Sequence, residues 1–486
     1  MAQALAGIQP EKVWHYFEEI CKIPHPSKKE EKLAAYIINW AKGKNFGVKT
    51  DKLGNICVSK PATPGMEDRK PIIIQGHIDM VCEKNADVEF DFDKDSIQCY
   101  IDGDWVKAKG TTLGADNGIG VAMGMAILDS TNIPHPAMEL LCTLDEETGL
   151  TGAIQLGTDL LKGKILINLD SEEDGTFTIG CAGGINTSAK LKYDATSPAA
   201  DTTGYQLVVK GLRGGHSGIE IHDGRANAAR LLNRVLYELG KKFDFQLSSF
   251  NSGSKHNAIP REAFAVIALP KKDEEKFNAE IKHFADILKS EYLTKEPNIS
   301  FAAAACELPK KVMTKQMQTN VIKSFYAMPH GVVRMSPDMP GLVQTSTNFA
   351  VVETHDDKIF VLTSQRSSVE TEKQDVANKV RIALELGGFE VTASDGYPAW
   401  QPNINSPILK TATEVFKNIF GKEAHIESIH AGLETGLIGE KYPGMDMLSF
   451  GPNLKDVHSP DEKVQISTTQ NCWKLLLEIL KNIPKN

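Results

Sequence analysis

Two kinds of hydrophobic pattern alternate along the first 185 residues. Apolar residues recur at helical spacing after Pro10 and again over residues 29–42, which predicts two amphipathic helices. Short apolar runs predict three buried strands, and a run of small residues from Gly118 predicts a buried helix between the first two. The strands are expected at residues 71–74, 137–144 and 164–169. Helices that alternate with buried strands are typical of an α/β fold whose sheet is largely covered on both faces.

A different pattern begins near Ile185. Residues 186–193 and 206–209 alternate between apolar and polar side chains, as half-exposed antiparallel strands do. Strands followed by a helix recur between residues 331 and 393, so we predict an inserted α+β domain of two similar halves. Helix–strand–helix patterns return after Asp395. The sequence therefore predicts a mixed-sheet α/β domain formed by residues 1–185 and 395–486. Residues 186–394 would form the inserted domain.

Composition and charge limit the function classes. The chain has 486 residues, of which 41% are hydrophobic and 24% charged, as in ordinary soluble globular proteins. Its net charge of −9 and the absence of a long basic run argue against nucleic acid and anionic membranes as partners. No apolar segment reaches the ~18 residues of a membrane span, and the N-terminus lacks the pattern of a signal peptide. The eight cysteines form no CxxC pair, so we expect reduced thiols and a cytoplasmic location.

Polar side chains follow the predicted strands at their carboxyl ends, where α/β sheets bind ligands. His77 and Asp79 follow the first strand, and their spacing places both side chains on one face of an extended segment. The acidic doublet Glu146–Glu147 follows the second strand, and Asp170 follows the third. Each residue also has an ordinary explanation, because an HxD pair arises by chance and acids in turns are usually solvated.

Two further residues lie in turns. Asp116 is at the point where a glycine-rich turn enters a helix, and His458 lies in a polar turn near the C-terminus. Taken alone, Asp116 is explained as a helix cap and His458 as an ordinary turn histidine. Combined with the residues at the strand ends, they form a mixed set of imidazole and carboxylate ligands. Such a set suits a pair of zinc, cobalt or manganese ions better than calcium, and one acid of the Glu doublet is then available to accept a proton from water.

Five motifs carry a resemblance to a known family. They occur in the order GHIDMV, LGADNGIG, DEETGLTGA, INLDSEE and DVHSPDE. This order resembles that of the co-catalytic di-zinc exopeptidases related to carboxypeptidase G, and within them the aminoacyl-histidine dipeptidases (Xaa-His dipeptidases, or carnosinases, of bacteria). The resemblance extends over essentially the whole chain, including the size of the insertion.

The resemblance implies two divalent metal ions per subunit, with zinc preferred and cobalt or manganese as alternatives. The five metal ligands would be His77 and Asp170 for one ion, Glu147 and His458 for the other, and Asp116 as the bridge. The peptide bond after the bridging residue would be cis. Asp79 would orient His77, and Glu146 would act as the general base and later as the general acid.

The inserted domain resembles the lid of that family, which implies substrate contacts. His216, in the turn GGHSG, would stabilise the oxyanion, and Asn257 and Arg366 would bind the C-terminal carboxylate of the substrate. Gly432 and Glu434, in HAGLE, are predicted to line the substrate pocket. From the residues alone, a surface turn histidine and a surface arginine remain the alternatives for His216 and Arg366.

The function that the resemblance implies is metal-dependent hydrolysis of dipeptides, preferentially Xaa-His dipeptides such as carnosine, by metal-bound hydroxide with a Glu general base. The chain would form a cytoplasmic homodimer. Related alternatives are a di-zinc tripeptidase, an N-acyl amino acid deacylase and a carboxypeptidase. A non-catalytic peptide- or metal-binding protein on the same scaffold is the alternative from another class.

Overall fold

The computed structural model describes residues 4–394 and 396–485 and divides the chain into two compact units. The first unit contains the chain up to Cys181, Trp400–Ser428 and the segment from Leu433 onward; the second contains Ala182–Ala399 and Ile429–Gly432. The junctions lie a few residues from those expected at 185 and 395, and residues 429–432, which were expected in the first domain, belong to the second unit. Asp395, the expected start of the returning segment, lies outside the described residues.

Eleven helices, α1 to α11, lie within the described residues. In chain order their bounds are Glu11–Cys21, Glu31–Gly43, Ala115–Leu128, Thr151–Ile154, Ala228–Leu239, Glu274–Tyr292, Lys315–Ala327, Glu370–Leu386, Pro407–Phe420, Glu434–Lys441 and Ile466–Lys481. The long helix α6 was not predicted, although its buried residues Phe277, Ile281, Phe284 and Leu288 recur at helical spacing. Among the described residues, no helix is long and apolar enough to cross a lipid bilayer.

Strands β1 to β25 form two large sheets and three small ones. In chain order their bounds are Gly47–Thr50, Ile56–Lys60, Ile72–His77, Cys99–Asp102, Trp105–Ala108, Met138–Thr143, Ile165–Asn168, Thr176–Cys181, Gly183–Lys192, Ala195–Thr196, Thr202–Lys210, Gly215–His216, Gln246–Ser252, Ala258–Ile259, Ala263–Pro270, Ser300–Cys306, Val312–Met313, Gly331–Met335, Val343–Thr354, Lys358–Ser367, Glu390–Ala393, His425–Ile429, Asp446–Ser449, Leu454–Lys455 and Lys463–Gln465.

The first unit is built on an eight-stranded mixed sheet with the order β1-β2-β6-β3-β7-β23-β8-β22. Its central strands β6, β3, β7 and β23 are parallel, and β1 and β2 are antiparallel. β3, β6 and β7 are buried along their whole length, in agreement with their apolar sequences. The mixed-sheet α/β prediction is therefore confirmed.

β3 is longer than the sequence suggested. Glycine commonly interrupts a strand, and Gly76 was expected to end the apolar run. In the structure, Gly76 and His77 continue the parallel ladder by pairing with Cys142 and Thr143 of β6. His77 is therefore the last residue of the strand rather than part of the following turn.

The second unit contains two halves with the same order of elements. The first half consists of β11, α5, β13, β15, α6 and β16, and its strands lie in the order β16-β11-β15-β13. The second half consists of β9, α7, β19, β20, α8 and β21, and its strands lie in the equivalent order β21-β9-β20-β19. β13 and β19 join the halves, and all four helices contribute to one apolar core with the strands. This topology agrees with the predicted α+β domain of two similar halves.

Candidate metal centre and substrate site

The carboxyl ends of three parallel strands meet at one edge of the first sheet. β3 ends at His77, β6 is followed by Glu146 and Glu147, and β7 is followed by Asp170. β3 lies between β6 and β7 and pairs with both, so that these side chains come together from segments that are distant in the chain. This is the edge at which α/β sheets bind ligands.

Asp116 joins this edge because α3 begins against the end of β3. Position 76 is a glycine, and an added Cβ there would lie 2.1 Å from Oδ1 of Asn117. Nδ2 of Asn117 donates to the carbonyl oxygen of Leu169, just beyond β7, at 2.6 Å. The Asp116–Asn117 peptide bond is cis. The start of α3 is thus fixed against the ends of two strands.

His77 and His458 contact opposite oxygens of Asp116. Nε2 of His77 lies 3.1 Å from Oδ1, and Nε2 of His458, in the loop between β24 and β25, lies 3.2 Å from Oδ2. Each histidine also contacts a second acid. Nε2 of His77 is 3.4 Å from Oδ1 of Asp170, and Nε2 of His458 is 3.0 Å from Oε2 of Glu147. Asp116 is therefore shared by two groups of potential ligands.

These two groups have the geometry and chemistry of metal sites. One group is His77 with Asp116 and Asp170, and the other is Asp116 with Glu147 and His458. Within each group, every residue offers one potential ligand atom, and these atoms lie within 4.8 Å of one another. Oδ1 of Asp170 is buried and has no hydrogen-bond partner among the described residues. Imidazole nitrogen and carboxylate oxygen are donors that zinc, cobalt and manganese accept. The donor set fits two divalent ions that share Asp116.

Asp79 lies behind His77 and supports both this histidine and the Glu doublet. Nδ1 of His77 lies 3.1 Å from the backbone carbonyl oxygen of Asp79 and 3.4 Å from its Oδ1. Oδ1 also accepts the backbone N–H of Glu146 at 2.9 Å. Its Oδ2 accepts the backbone N–H of Glu147 at 3.2 Å and the hydroxyl of Ser27 at 2.8 Å. Asp79 thus orients His77 through its carbonyl oxygen and carboxylate together, and its carboxylate fixes the backbone of two acids.

Burial and crowding raise the pKa of three acids at this edge. Burial raises the pKa of Glu146 to about 9, and the negative charge of Asp170 and Glu147 adds to the effect. Burial also raises the pKa of Glu147 and that of Asp170 above their usual values. Cations bound among these carboxylates would relieve this excess of negative charge.

The contacts between Asp116 and the two histidines favour the charged forms of these groups. Hydrogen bonds with Asp116 and Glu147 raise the pKa of His458 to about 11. Burial acts to raise the pKa of Asp116, but hydrogen bonds with His458 and His77 hold that pKa well below its usual value. Asp116 is therefore an ionised carboxylate near neutral pH, as a bridging ligand must be.

Arg366 is the centre of a polar cluster in the second unit. It is 7% exposed, and its Nη1 donates to the hydroxyl of Tyr397 at 2.8 Å. Its buried Nε–H finds no acceptor among the described residues. Burial and this guanidinium lower the pKa of His216, His256 and His430, that of His430 to about 3. A buried cation among neutral imidazoles fits an anionic group such as a carboxylate.

His216 and Asn257 lie on neighbouring segments of the second unit. Nδ1 of His216 accepts the backbone N–H groups of Gly218 and Ile219, both at 3.2 Å. The proton of the neutral imidazole is therefore on Nε2, which makes that atom a hydrogen-bond donor. The carbonyl oxygen of Asn257 accepts the backbone N–H of Ser217 at 2.8 Å.

Gly432 and Glu434 have different surroundings, and each belongs to a different unit. A Cβ on Gly432 would lie 2.6 Å from the ring of Tyr397, so this position must be a glycine. Glu434 is 2% exposed and accepts hydrogen bonds from Nε2 of Gln75 at 2.6 Å and from Oγ1 of Thr143 at 2.7 Å. Burial raises the pKa of Glu434 to about 7.

Comparisons with known proteins identify the family. A family model described as the M20 peptidase dimerisation domain matches residues 208–296, within the second unit. The cytosol non-specific dipeptidase of Escherichia coli (strain K12) is 44% identical over 480 residues, which cover 99% of each chain. This chain belongs to the M20 peptidase family.

Solved structures agree with the M20 assignment. The crystal structure of an aminoacylhistidine dipeptidase from Vibrio alginolyticus matches with a TM-score of 0.95 and 44% identity, over 99% of this chain and 98% of that one. A tripeptidase from Staphylococcus aureus matches with a TM-score of 0.57 at 15% identity, over 98% of this chain and 99% of that one, and shares the fold. The five motifs predicted membership of the di-metal exopeptidases and, within them, of the dipeptidases. The comparisons confirm this prediction of the family.

Gln75, Ser346 and Tyr397 contribute to these sites and escaped the sequence analysis. Gln75 carries a recognisable signal, because it is a polar residue inside a buried apolar run. Ser346, whose Oγ lies 2.7 Å from Nε2 of His430, and Tyr397 carry none, since their partners are distant in the chain.

Proposed function

We propose that this M20 peptidase hydrolyses dipeptides at a centre of two divalent metal ions, with a preference for Xaa-His substrates such as carnosine. The observation that carries the proposal is the position of Asp116, whose two oxygens lie 3.1 and 3.2 Å from Nε2 of His77 and of His458. A carboxylate between two histidines, each beside a further acid, can bridge two ions. A site for a single ion would need no such shared residue.

The metal ligands in this proposal are His77 and Asp170 for one ion, Glu147 and His458 for the other, and Asp116 for both. Zinc suits this donor set, and cobalt and manganese accept the same donors. When bound, the ions would polarise the scissile carbonyl and lower the pKa of the attacking water.

Glu146 is the general base in this proposal. Asp79 binds its backbone N–H at 2.9 Å. Glu146 lies beside His77 and Glu147 in a further group of potential ligands, but it is outside the two groups that share Asp116. Burial raises the pKa of Glu146 to about 9, and the positive charge of bound ions would lower that pKa towards neutrality. Ionised Glu146 then accepts a proton from the attacking water and donates it to the leaving amine.

We assign the substrate contacts to residues of the second unit. The Nε2–H of His216 would donate to the oxyanion, and Arg366, with Asn257, would bind the free carboxylate of the substrate. The buried Nε–H of Arg366, which lacks an acceptor among the described residues, supports this role. Gly432 would line the substrate pocket beside Tyr397.

Glu434 was predicted to touch the substrate, and its surroundings favour a different role. It is 2% exposed, and Gln75 and Thr143 both bind its Oε2, whereas its buried Oε1 has no hydrogen-bond partner among the described residues. We therefore propose that Glu434 supports the end of the sheet beneath the metal ligands.

The names of two relatives bear on the substrate length and specificity that we propose. The Escherichia coli relative is named a non-specific dipeptidase and the Vibrio alginolyticus relative an aminoacylhistidine dipeptidase. Both names support dipeptides as substrates, and the second supports the preference for C-terminal histidine.

The test uses the purified enzyme with carnosine, Ala-Ala, a tripeptide and an N-acetyl amino acid. We expect hydrolysis of the two dipeptides, faster for carnosine, which a chelator abolishes and added zinc restores. Hydrolysis confined to the tripeptide or to the N-acetyl amino acid would instead support the tripeptidase or deacylase alternative. A complete lack of chelator-sensitive hydrolysis would support a non-catalytic binding protein.

We also propose that the enzyme is a cytoplasmic homodimer. The match of residues 208–296 to a dimerisation domain supports the dimer, and the name of the cytosol dipeptidase supports the location. Sedimentation equilibrium of the purified enzyme should give twice the mass of the chain, and cell fractionation should recover the activity with cytosolic markers.

A further inference from the structure

Glu462 is a buried acid to which neither the motifs nor the proposed reaction assigns a role. It is 3% exposed and lies four residues after His458. Its Oε2 accepts the backbone N–H groups of Leu113 and Gly114 at 2.7 and 3.1 Å. Its Oε1 accepts those of Ala115 and Asp116 at 2.8 and 3.4 Å. One carboxylate thus binds four successive backbone N–H groups.

These four groups lie in the turn that leads into α3, where the backbone of Asp116 and Asn117 is not helical and supplies no acceptor of its own for them. Gly114 has a φ of 72°, a left-handed conformation that turns successive N–H groups towards the same acceptor. Glu462 therefore fixes the backbone that leads into Asp116.

The loop that carries Glu462 is itself rigidly bonded. Its ends are joined by an ion pair between Nζ of Lys463 and Oδ2 of Asp456 at 2.6 Å. The backbone N–H of Glu462 donates to the carbonyl oxygen of Ser459 at 3.0 Å. His458 has a φ of 61°, a left-handed conformation that persists in a residue other than glycine only where neighbouring contacts impose it. Glu462 and His458 thus lie in one loop that is closed by its own contacts.

We propose that Glu462 is a positioning residue, which ties the His458 loop to the start of α3 and so sets the distance between His458 and Asp116 before metal binds. The proposal rests on the metal centre described under the proposed function. Its physical basis is pre-organisation, because ligands that are already ordered lose less conformational entropy on binding the ion. Groups that orient metal ligands typically change metal affinity roughly 10–100-fold when they are removed.

Glu462→Gln is the decisive variant, because glutamine has the same shape as glutamate but carries an NH₂ group in place of one oxygen. That NH₂ would face two backbone N–H donors, so the anchor would be broken without a cavity. Glu296→Gln is a matched control in the second unit. Glu296 is 0% exposed, and its two oxygens accept the backbone N–H groups of Arg213 at 2.7 Å and Ala226 at 2.9 Å.

The experiment loads each enzyme with cobalt, records the visible spectrum, and measures the cobalt retained against increasing concentrations of a competing chelator. We expect Glu462→Gln to release the ion on the Glu147–His458 side at a roughly 10–100-fold lower chelator concentration, with an altered spectrum. We expect Glu296→Gln to retain cobalt like the wild type, even where its melting temperature falls.

Retention and a spectrum equal to the wild type in Glu462→Gln would overturn the proposal. A wild-type enzyme that retains no cobalt would instead overturn the metal centre itself. If Glu462→Gln does not fold, the cobalt retention and spectrum of Glu462→Asp are compared with those of the wild type instead. Aspartate keeps both oxygens but is one methylene too short to reach all four donors. Wild-type retention in Glu462→Asp would likewise contradict the proposal.

Discussion

Gly76 lies against Asn117 at the point where β3 meets the start of α3. A Cβ at position 76 would lie 2.1 Å from Oδ1 of Asn117 and 3.3 Å from Cγ2 of Val121. Through this close approach, Asp116 comes to lie beside His77, with 3.1 Å between Oδ1 and Nε2. The distance between two proposed ligands therefore depends on a residue that has no side chain.

Replacement of Gly76 by alanine is expected to displace the start of α3 and to weaken metal binding. Overpacking of this kind costs about 1–3 kcal/mol. The metal retained after dialysis and the melting temperature should both fall. Gly43→Ala on α2 is the control, since an added Cβ there meets nothing within 4 Å. Equal metal retention in the two variants would contradict this account of Gly76.

Replacement of Glu146 by glutamine should remove the general base but leave the metal ligands intact. We expect kcat to fall by roughly 10²–10⁴-fold while the metal content of the same sample is unchanged. Glu173→Gln, at an exposed acid three residues after Asp170, should retain full activity. Near-normal turnover of Glu146→Gln with metal bound would show that another group accepts the proton.

Arg366→Lys should weaken the binding of the substrate carboxylate. A charge-assisted hydrogen bond contributes about 1.5–3 kcal/mol, so KM for carnosine should rise roughly 10–100-fold with a smaller change in kcat. Tyr397→Phe, which removes the hydroxyl that Arg366 contacts at 2.8 Å, should cause a smaller rise. A dipeptide amide is the substrate control, because it has no carboxylate. If KM for the amide rises as much as KM for carnosine, Arg366 does not bind the carboxylate.

Acid should destabilise the protein through His430. This residue is 5% exposed, and burial together with Arg366 lowers its pKa from 6.5 to about 3. Below pH 6.5 His430 is protonated in the unfolded chain, whereas in the folded chain it stays neutral down to about pH 3. The unfolded chain therefore binds more protons in this pH range, and the free energy of unfolding falls as the pH falls through it.

The size of this effect can be isolated with His430→Gln. At pH 5 the contribution of His430 is a loss of about 2 kcal/mol in the free energy of unfolding. Urea unfolding at about pH 7 and pH 5 should show a smaller acid loss in the variant than in the wild type, by that amount. The same loss in both proteins would mean that His430 is protonated in the folded state.

The sequence predicts those site residues that carry a local signal. His77 and Asp170 could be found because each follows a buried apolar run, and the five motifs placed Asp116, Glu147 and His458 beside them. The extension of β3 through Gly76 could not be predicted, because the ladder with β6 overrides the usual effect of glycine.

Residues whose roles depend on distant contacts could not be found in this way. Glu462 is an acid in a polar turn, a pattern typical of a solvated residue, and its partners lie 346 to 349 positions earlier in the chain. Tyr397 lies in no motif, and its contact with Arg366 exists only in the folded second unit. The same reason explains why the sequence does not separate residues 429–432, which cluster with the second unit, from the segments on either side.

The most direct test of the central claim is a crystal structure of the zinc-loaded enzyme, with anomalous diffraction measured at the zinc edge. The account predicts two zinc peaks per chain, roughly 3.5–4 Å apart, with Asp116 contacting both. One peak should also contact His77 and Asp170, and the other Glu147 and His458. A single peak, or two peaks that do not share Asp116, would contradict it.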